Sequence, residues 1–171
     1  MTATFIMTPK SLLRHPLAAS TVSDLVDGRF EFVMDDPSLP GSPETVTRVV
    51  FCSGKVYYDA VTAKERPQAE HVALGRIELL YPFPEDAVSE LIARYPSVRE
   101  IVWLQEEPMN MGARKWVVPQ LMELAPEWTT VRYLARTERS SPAEGYLIKH
   151  QAEQQRLVAA ALGPQDTIRS R

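Results

Sequence analysis

The sequence of 171 residues has one cysteine, three histidines and no strong excess of either charge. Because a single cysteine, Cys52, cannot form an internal disulfide, a reducing compartment is expected. His15, His71 and His150 lie far apart and lack the spacing of metal ligands, so no metal site is expected. The net charge is −3 with both signs interspersed, which argues against the clustered basic face of a nucleic-acid-binding protein.

Long apolar runs and glycine-rich loops are also missing. No apolar stretch is long enough to cross a bilayer, and the first residues, MTATFIM, lack the basic region and long apolar core of a secretory signal. Neither a glycine-rich dinucleotide fingerprint nor a nucleophile elbow is present. We therefore expect a cytoplasmic protein with no membrane or nucleic-acid partner and with no complete catalytic site of its own.

Short apolar runs alternate with helical periods from residue 47 onward. Strands are predicted at residues 49–52, 72–80, 100–105 and 129–134. Helices are predicted at residues 56–64, 85–95 and 147–162, and a further helix from residue 113 is expected to bury Trp116, Val117, Leu121 and Met122. This order favours an α/β fold of three layers, with a mainly parallel sheet and helices on both faces.

The same pattern predicts the domain limits. Residues 1–45, where turn formers and prolines interrupt any period, are expected to form a connecting arm. Residues 46–162 are predicted to be the α/β domain. Residues 163–171 lack an apolar period and are expected to be a flexible tail.

Polar residues follow the third predicted strand, at a position where open α/β sheets gather ligands and partners. They are Gln105, Glu106, Glu107, Asn110 and Gly112, and Pro108 is expected to end the strand. Adjacent side chains at a strand end point in different directions, so the two glutamates are not an acid–base pair of the glycosidase type. The alternative is that they cap the next helix or face water.

Lys55 and Arg136 are candidates for binding an anion. Gly54 turns the chain after the first predicted strand, which places backbone N–H groups at a helix N-terminus beside Lys55. Arg132, Arg136 and Arg139 lie close in sequence and together could clamp a phosphate or carboxylate. The alternatives are that Gly54 only permits a tight turn without a ligand, and that the arginines form a solvated rim.

Five blocks of sequence resemble one enzyme family in the family's own order. They are MTPKSLLRHPLA (7–18), CSGKVYYD (52–59), RIELLYPFP (76–84), QEEPMNMGA (105–113) and RSSPAEGY (139–146). They resemble the C-terminal part of the thiamine-diphosphate-dependent decarboxylating component of 2-oxoglutarate dehydrogenase, and the resemblance covers residues 6 to about 162. It implies a fold like that of the transketolase C-terminal domain.

The resemblance implies that this chain is one part of a larger enzyme. In the family, two other domains hold thiamine diphosphate and magnesium, while the C-terminal domain supports the dimer and borders the active-site channel. The enzyme decarboxylates 2-oxoglutarate in the citric acid cycle and passes the succinyl group to a lipoyl-bearing succinyltransferase complex. The implied partners are therefore the catalytic domains, in cis or as a separate chain, and a second copy of the full enzyme. A preference for 2-oxoadipate stays open.

The resemblance also implies roles for particular residues. By analogy with pyruvate dehydrogenases, the residues of the Glu-Glu loop are interface or supporting residues and not catalytic ones. Arg136 corresponds to an arginine segment that forms an allosteric acetyl-CoA site in actinobacterial relatives. Here Arg114 stands where the family usually has tryptophan, and both cofactor-binding motifs are missing. A fragment, a split subunit and a stand-alone interaction or effector-binding module of the same fold are the three interpretations.

Overall fold

A computed structural model describes residues 8–164 and divides the chain into two units, with the boundary between Glu31 and Phe32. The first unit contains the short helix α1 (Val22–Val26). A capping box begins this helix: Thr21 Oγ1 accepts from the backbone N–H of Asp24 at 3.2 Å, and Asp24 Oδ2 accepts from the backbone N–H of Thr21 at 2.7 Å. None of residues 8–31 is buried.

The second unit is built around a five-stranded sheet. Its strands are β1 (Val33–Met34), β2 (Arg48–Cys52), β3 (Val72–Ile77), β4 (Glu100–Pro108) and β5 (Thr130–Arg136), in the spatial order β1-β3-β2-β4-β5. Strands β2 to β5 pair in parallel, and β1 pairs antiparallel with β3 at one edge. The helices of this unit are α2 (Lys55–Val61), α3 (Glu85–Ala93), α4 (Arg114–Leu124) and α5 (Leu147–Leu162).

Alternate side chains of the central strands enter two separate cores. Val50 and Cys52 of β2 pack with α2 and α5, whereas Val49 and Phe51 pack with α3 and α4. All five residues of β2 are buried, which is why this strand has a continuous apolar run and no alternation. The predicted α/β fold of three layers is confirmed.

Strand β4 extends further than the sequence predicted. It continues past Gln105 to Pro108, with an irregularity in its pairing with β5 between Leu104 and Pro108. Proline donates no hydrogen bond, but the next backbone N–H, that of Met109, donates to the carbonyl of Arg136 at 2.8 Å. Pro108 is therefore tolerated at an irregular strand end, and the expectation that it stops the strand was wrong.

Two predicted core residues of α4 are on the surface. Trp116 and Met122 are 42% and 58% exposed, whereas their neighbours Val117 and Leu121 are fully buried. Adjacent helical positions differ by about 100° around the axis, so the buried stripe that includes Val117 and Leu121 turns the other two side chains outward. The prediction that Trp116 and Met122 are buried was wrong.

The ends of the domain differ in part from the expected pattern. Strand β1 lies inside the segment 1–45 that was expected to be an arm, because a strand of two residues leaves no periodic signal. The domain boundary at residue 45 stays a prediction. Most of the expected flexible tail, 165–171, lies outside the described residues, whereas Gly163 and Pro164 are bonded to Arg48.

Buried Arg48 of β2 fixes the end of α5. Its Nε lies 2.5 Å from Glu100 Oε2, and one of its terminal nitrogens donates to the carbonyls of Ala161 at 3.0 Å and Gly163 at 2.6 Å. An arginine near the C-terminal end of a helix satisfies carbonyls that have no partner within the helix. Helix α5, which carries part of the polar cluster described below, is thereby anchored at the amino edge of the sheet.

Candidate functional site

Gln105 organises the loop that follows β4. Its side chain is almost fully buried, and its Oε1 accepts from Trp103 Nε1 and from the backbone N–H of Arg114, both at 3.0 Å. Its Nε2 donates to the carbonyls of Pro108 at 3.1 Å and Met111 at 2.8 Å. One amide thus ties the strand, the loop and the start of α4 together, which is geometry expected of a supporting residue.

Gly112 and Asn110 complete this support. Gly112 has a φ of +66°, and a Cβ at this position would lie 3.0 Å from the amide of Gln105. Asn110 Nδ2 donates to the carbonyl of Arg139 at 2.8 Å, and the backbone N–H of Arg139 donates back to Asn110 Oδ1 at 3.2 Å. The loop after β4 is therefore joined to the loop after β5.

The two glutamates of the loop have different surroundings. Glu106 is half-buried, and its Oε2 lies 3.4 Å from Gln154 Nε2 of α5. Glu107 is exposed at the carboxyl edge of the sheet. The pair does not form an acid–base dyad, and only Glu107 is directly available to a partner.

Arg136, at the end of β5, is a buried cation bonded to an amide and an imidazole. It is 3% exposed, and one terminal nitrogen lies 2.9 Å from Gln154 Oε1 and 3.2 Å from His150 Nδ1. Its Nε is buried without a hydrogen-bond partner, and it forms no ion pair within the described part of the chain. Its charge is partly balanced by Glu153 of α5: the pKa of the Glu153 carboxyl is lowered mainly by its hydrogen bond with Arg156 and also by the nearby Arg136. The Nε of Arg136 is therefore a buried hydrogen-bond donor that no described residue uses.

Lys55 joins the same network through two other side chains. Its Nζ lies 2.5 Å from Asp59 Oδ2, which also accepts from Gln154 Nε2 at 2.8 Å. The structure therefore connects Lys55 and Arg136, which are 81 positions apart in the sequence, through Asp59 and Gln154. Helix α2 has only seven residues, and we place no anion site at its N-terminus.

A groove of about 490 Å³ runs beside this network between α2 and α5. Its lining includes Lys55, Asp59, Lys64, His150 and Gln154. The ammonium groups of Lys55 and Lys64 lie on the α2 side, the imidazole and amide groups of His150 and Gln154 lie on α5, and the carboxylates of Asp59 and Glu65 also line the groove. The donors among these groups can bind carboxylate or phosphate oxygens of a ligand.

The three arginines of the predicted clamp do not converge. Arg132 lies near the amino end of β5, where its Nε is 3.3 Å from Glu100 Oε1, and Arg139 pairs with Glu144. Arg136 is four residues further along the strand than Arg132, a separation of about 13 Å. The interpretation of these residues as one clamp was wrong, because Arg132 and Arg139 each pair with a different glutamate.

The described residues do not supply the chemistry of a cofactor site. Within residues 8–164, no three His, Cys, Asp or Glu side chains lie close enough together to hold a metal ion, so they do not fit a magnesium–diphosphate group. Burial raises the pKa of the Cys52 thiol to about 12, which keeps it protonated and unreactive as a nucleophile. No helix in this part of the chain is long and apolar enough to span a membrane.

Sequence reasoning missed three members of the polar cluster: Asp59, His150 and Gln154. Lys55 and Asp59 are spaced i,i+4 on α2, and His150 and Gln154 have the same spacing on α5. This spacing predicts neighbours on one helix face. The spacing does not indicate that this face of α2 and this face of α5 contact each other beside Arg136.

The fold and the loop define the class, which is a three-layer α/β domain with polar residues gathered at the carboxyl edge of its sheet. A family model described as "2-oxoglutarate dehydrogenase C-terminal" matches residues 19–162. The chain belongs to this family, which confirms the resemblance seen in the sequence.

Three relatives show the extent of the match. The chain is 50% identical over 158 residues to the 2-oxoglutarate dehydrogenase E1 component of Geobacillus kaustophilus. It is 48% identical to that of Bacillus subtilis and 45% identical to that of an Exiguobacterium species, in each case over 159 residues. Each alignment covers 92% of this chain, and the chain spans only 17% of the relative's length.

Proposed function

We propose that this chain acts as the C-terminal domain of a 2-oxoglutarate dehydrogenase E1 component, supporting assembly of the enzyme and its active-site channel without being catalytic alone. The observation that carries this proposal is the family match over residues 19–162, together with 50% identity to an E1 component of which the chain spans 17%. Its contribution is a rigid loop, held by Gln105, that presents Glu107 to the catalytic part.

The reaction that this assignment implies is the oxidative decarboxylation of 2-oxoglutarate, with transfer of the succinyl group to a lipoyl carrier. Thiamine diphosphate and magnesium would supply the chemistry from the other domains, since residues 8–164 do not provide a site for them. The proposed partners are those catalytic domains, a second copy of the enzyme and the lipoyl-bearing succinyltransferase complex. The proposed location is the cytoplasm.

Complementation tests this function directly. The Geobacillus kaustophilus E1 component would be produced without the 158 residues that match this chain, and thiamine diphosphate with magnesium would be titrated into it by calorimetry with and without the chain. We expect the chain alone to bind no cofactor, to bind the truncated enzyme, and to restore release of carbon dioxide from 2-oxoglutarate. Absence of both binding and restored activity would contradict the proposal.

A second candidate function is an effector-binding module, and one observation favours it. Arg136 is a buried arginine whose Nε has no partner, and its hydrogen-bond partners His150 and Gln154 line a groove that also contains Lys55. An effector with phosphate or carboxylate groups, such as the acetyl-CoA implied by the resemblance, would supply hydrogen-bond acceptors for the donors of this groove and for the Nε of Arg136.

The test is calorimetric titration of acetyl-CoA and, separately, inorganic phosphate into the wild-type chain and the Arg136→Gln variant. We expect acetyl-CoA affinity to fall about tenfold or more in the variant, as for loss of one charge-assisted bond. A Gln151→Ala variant is the control, because this exposed residue lines the groove outside the Arg136 network. Equal binding by wild type and Arg136→Gln would exclude Arg136 from any effector site.

A further inference from the structure

An apolar segment runs across the surface after β3. Residues 79–84 read LLYPFP, six apolar residues in succession. Tyr81 is 78% exposed and Pro82 is exposed, whereas Leu79, Leu80 and Phe83 are partly buried and Pro84 is buried. Exposed apolar residues that cluster at a surface are typical of a site that another protein surface covers.

Trp116 of α4 holds this segment in one conformation. Its Nε1 donates to the carbonyl of Leu80 at 2.7 Å, and its ring lies 5.7 Å from the ring of Tyr81, centroid to centroid. The polar atom of the indole is thus satisfied internally while 42% of the residue stays exposed. We call residues 79–84 with Trp116 the apolar platform. Rigid, exposed tryptophan and tyrosine side chains are the residue types that dominate binding energy at interfaces.

The apolar platform lies at the same edge of the sheet as the Glu-Glu loop. Residues 79–84 follow the carboxyl end of β3, and Trp116 is in the first turn of α4, directly after the loop that follows β4. Parallel strands bring their carboxyl ends to one edge. Exposed Glu107 therefore shares this edge with the platform, an arrangement in which apolar anchors have a charged rim.

We infer that the apolar platform is the surface on which the catalytic portion of an E1 component packs. The inference rests on the proposed function, and it identifies the surface through which this domain would contact the rest of the enzyme. More than four fifths of each relative's length lies outside the match to this chain, so an E1 component contains a large permanent neighbour for this domain. Permanent interfaces are more apolar than transient ones, and the exposed side chains of Tyr81, Pro82 and Trp116 suit the fixed neighbour better than a visiting lipoyl carrier.

The experiment compares two exposed aromatic residues on this chain. Tyr81→Ala removes a platform residue, whereas Trp128→Ala removes a tryptophan that is 66% exposed and precedes β5 at the opposite edge of the sheet. Affinity for the truncated Geobacillus kaustophilus E1 component would be measured by calorimetry for both variants and the wild type. We expect Tyr81→Ala to bind about tenfold more weakly or worse, and Trp128→Ala to bind within about twofold of wild type. Melting temperatures and circular dichroism would establish that both variants are folded.

Fluorescence provides a second readout that does not depend on a change at Tyr81. In a Trp128→Phe background only Trp103, which is fully buried, and Trp116 remain. Docking onto the platform should therefore shift the emission to shorter wavelength as Trp116 loses contact with water. An emission spectrum that does not change on binding would overturn the inference.

The outcomes separate this inference from the proposed function. If the wild type binds and restores activity while Tyr81→Ala behaves identically, the platform is not the interface and the proposed function stands. If the wild type neither binds nor restores activity, both the proposed function and this inference are contradicted. If the free chain self-associates through Tyr81 while docking is unaffected by the substitution, a second copy covers the platform and the assignment of its partner is wrong.

Discussion

Gln105→Glu is the substitution that most directly tests the account of the loop after β4. The two side chains have the same shape, so the change replaces only the Nε2 amide group by an oxygen. In the wild type this nitrogen donates to the carbonyls of Pro108 and Met111, at 3.1 and 2.8 Å. In the variant an oxygen faces those two oxygens inside a site where the residue is 3% exposed.

The expected loss in the free energy of unfolding follows from the hydrogen bonds that the substitution removes. Two buried hydrogen bonds contribute about 1 kcal/mol each, and a carbonyl left without a donor adds a penalty of about 1–3 kcal/mol. We expect the free energy of unfolding to fall by about 3 kcal/mol at neutral pH. Burial among carbonyl oxygens raises the pKa of the introduced carboxyl in the folded state. A raised folded-state pKa makes the loss smallest below the pKa of the unfolded chain, and the loss grows as the pH rises through the folded-state pKa.

Urea unfolding followed by tryptophan fluorescence measures this effect at several pH values between 4 and 8, a range of about four units that spans ordinary carboxyl titration. Gln105→Met is the matched variant, since it removes all the bonds of the amide without adding a titratable group, and its loss relative to wild type should not depend on pH. Gln151→Glu, on the exposed face of α5, should change stability by less than about 0.5 kcal/mol. A loss below about 1 kcal/mol in Gln105→Glu, or a loss that does not vary with pH, would refute the reasoning.

Three further predictions concern single residues. Gly112→Ala should lower the free energy of unfolding by about 2 kcal/mol or more in urea, because a Cβ would lie 3.0 Å from the Gln105 amide. Gly54→Ala places its Cβ in open space, so its loss of about 1–3 kcal/mol should come from backbone strain alone, since φ +70° with ψ −141° is a conformation largely restricted to glycine. An unchanged free energy of unfolding in Gly112→Ala would contradict the steric argument. Glu107→Ala should weaken binding to the truncated Geobacillus kaustophilus E1 component, measured by calorimetry, while the melting temperature stays near that of wild type; parallel losses would make Glu107 a structural residue. The Cys52 thiol, whose pKa burial raises to about 12, should react with a chromogenic disulfide reagent at pH 8 only at the rate of unfolding, and rapid reaction of the folded chain would contradict its burial.

Much of the second unit could be predicted from sequence because its strands are short and fully covered. The apolar run at residues 49–52 has the length of a buried strand and no alternation, which fits the position of β2 between β3 and β4. Strand β1 was missed because two residues have no period. The end of β4 was misplaced because the rule for proline applies to regular ladders, and the pairing is irregular before Pro108.

The polar cluster could be predicted only in part, because its contacts join distant segments. Lys55 and Arg136 were identified singly, from a turn and from a group of arginines. Their connection passes through Gln154, which bonds Asp59 across 95 positions and Arg136 across 18. The periodicity of a helix does not indicate which strand end that helix covers. The groove between α2 and α5 could therefore not be predicted from the sequence and is seen only in the packed structure.

The two buried arginines Arg48 and Arg136 differ in their hydrogen-bond partners, although each stands at one end of a strand. Arg48 is fully buried, pairs with Glu100 and donates to the carbonyls at the end of α5, whereas Arg136 is 3% exposed, bonds an amide and an imidazole and has an unused Nε. Arg48→Met should therefore destabilise the chain by about 3 kcal/mol or more, because it leaves Glu100 buried with a weaker partner. Arg136→Met loses the bonds to His150 and Gln154 and the attraction to Glu153, but it breaks none of the ion pairs that the described residues form, so its effect should be smaller, about 1–2 kcal/mol. Thermal and urea unfolding of the two variants measure the difference. If Arg136→Met is as damaging as Arg48→Met, Arg136 holds the fold together and the case for an effector beside it is lost.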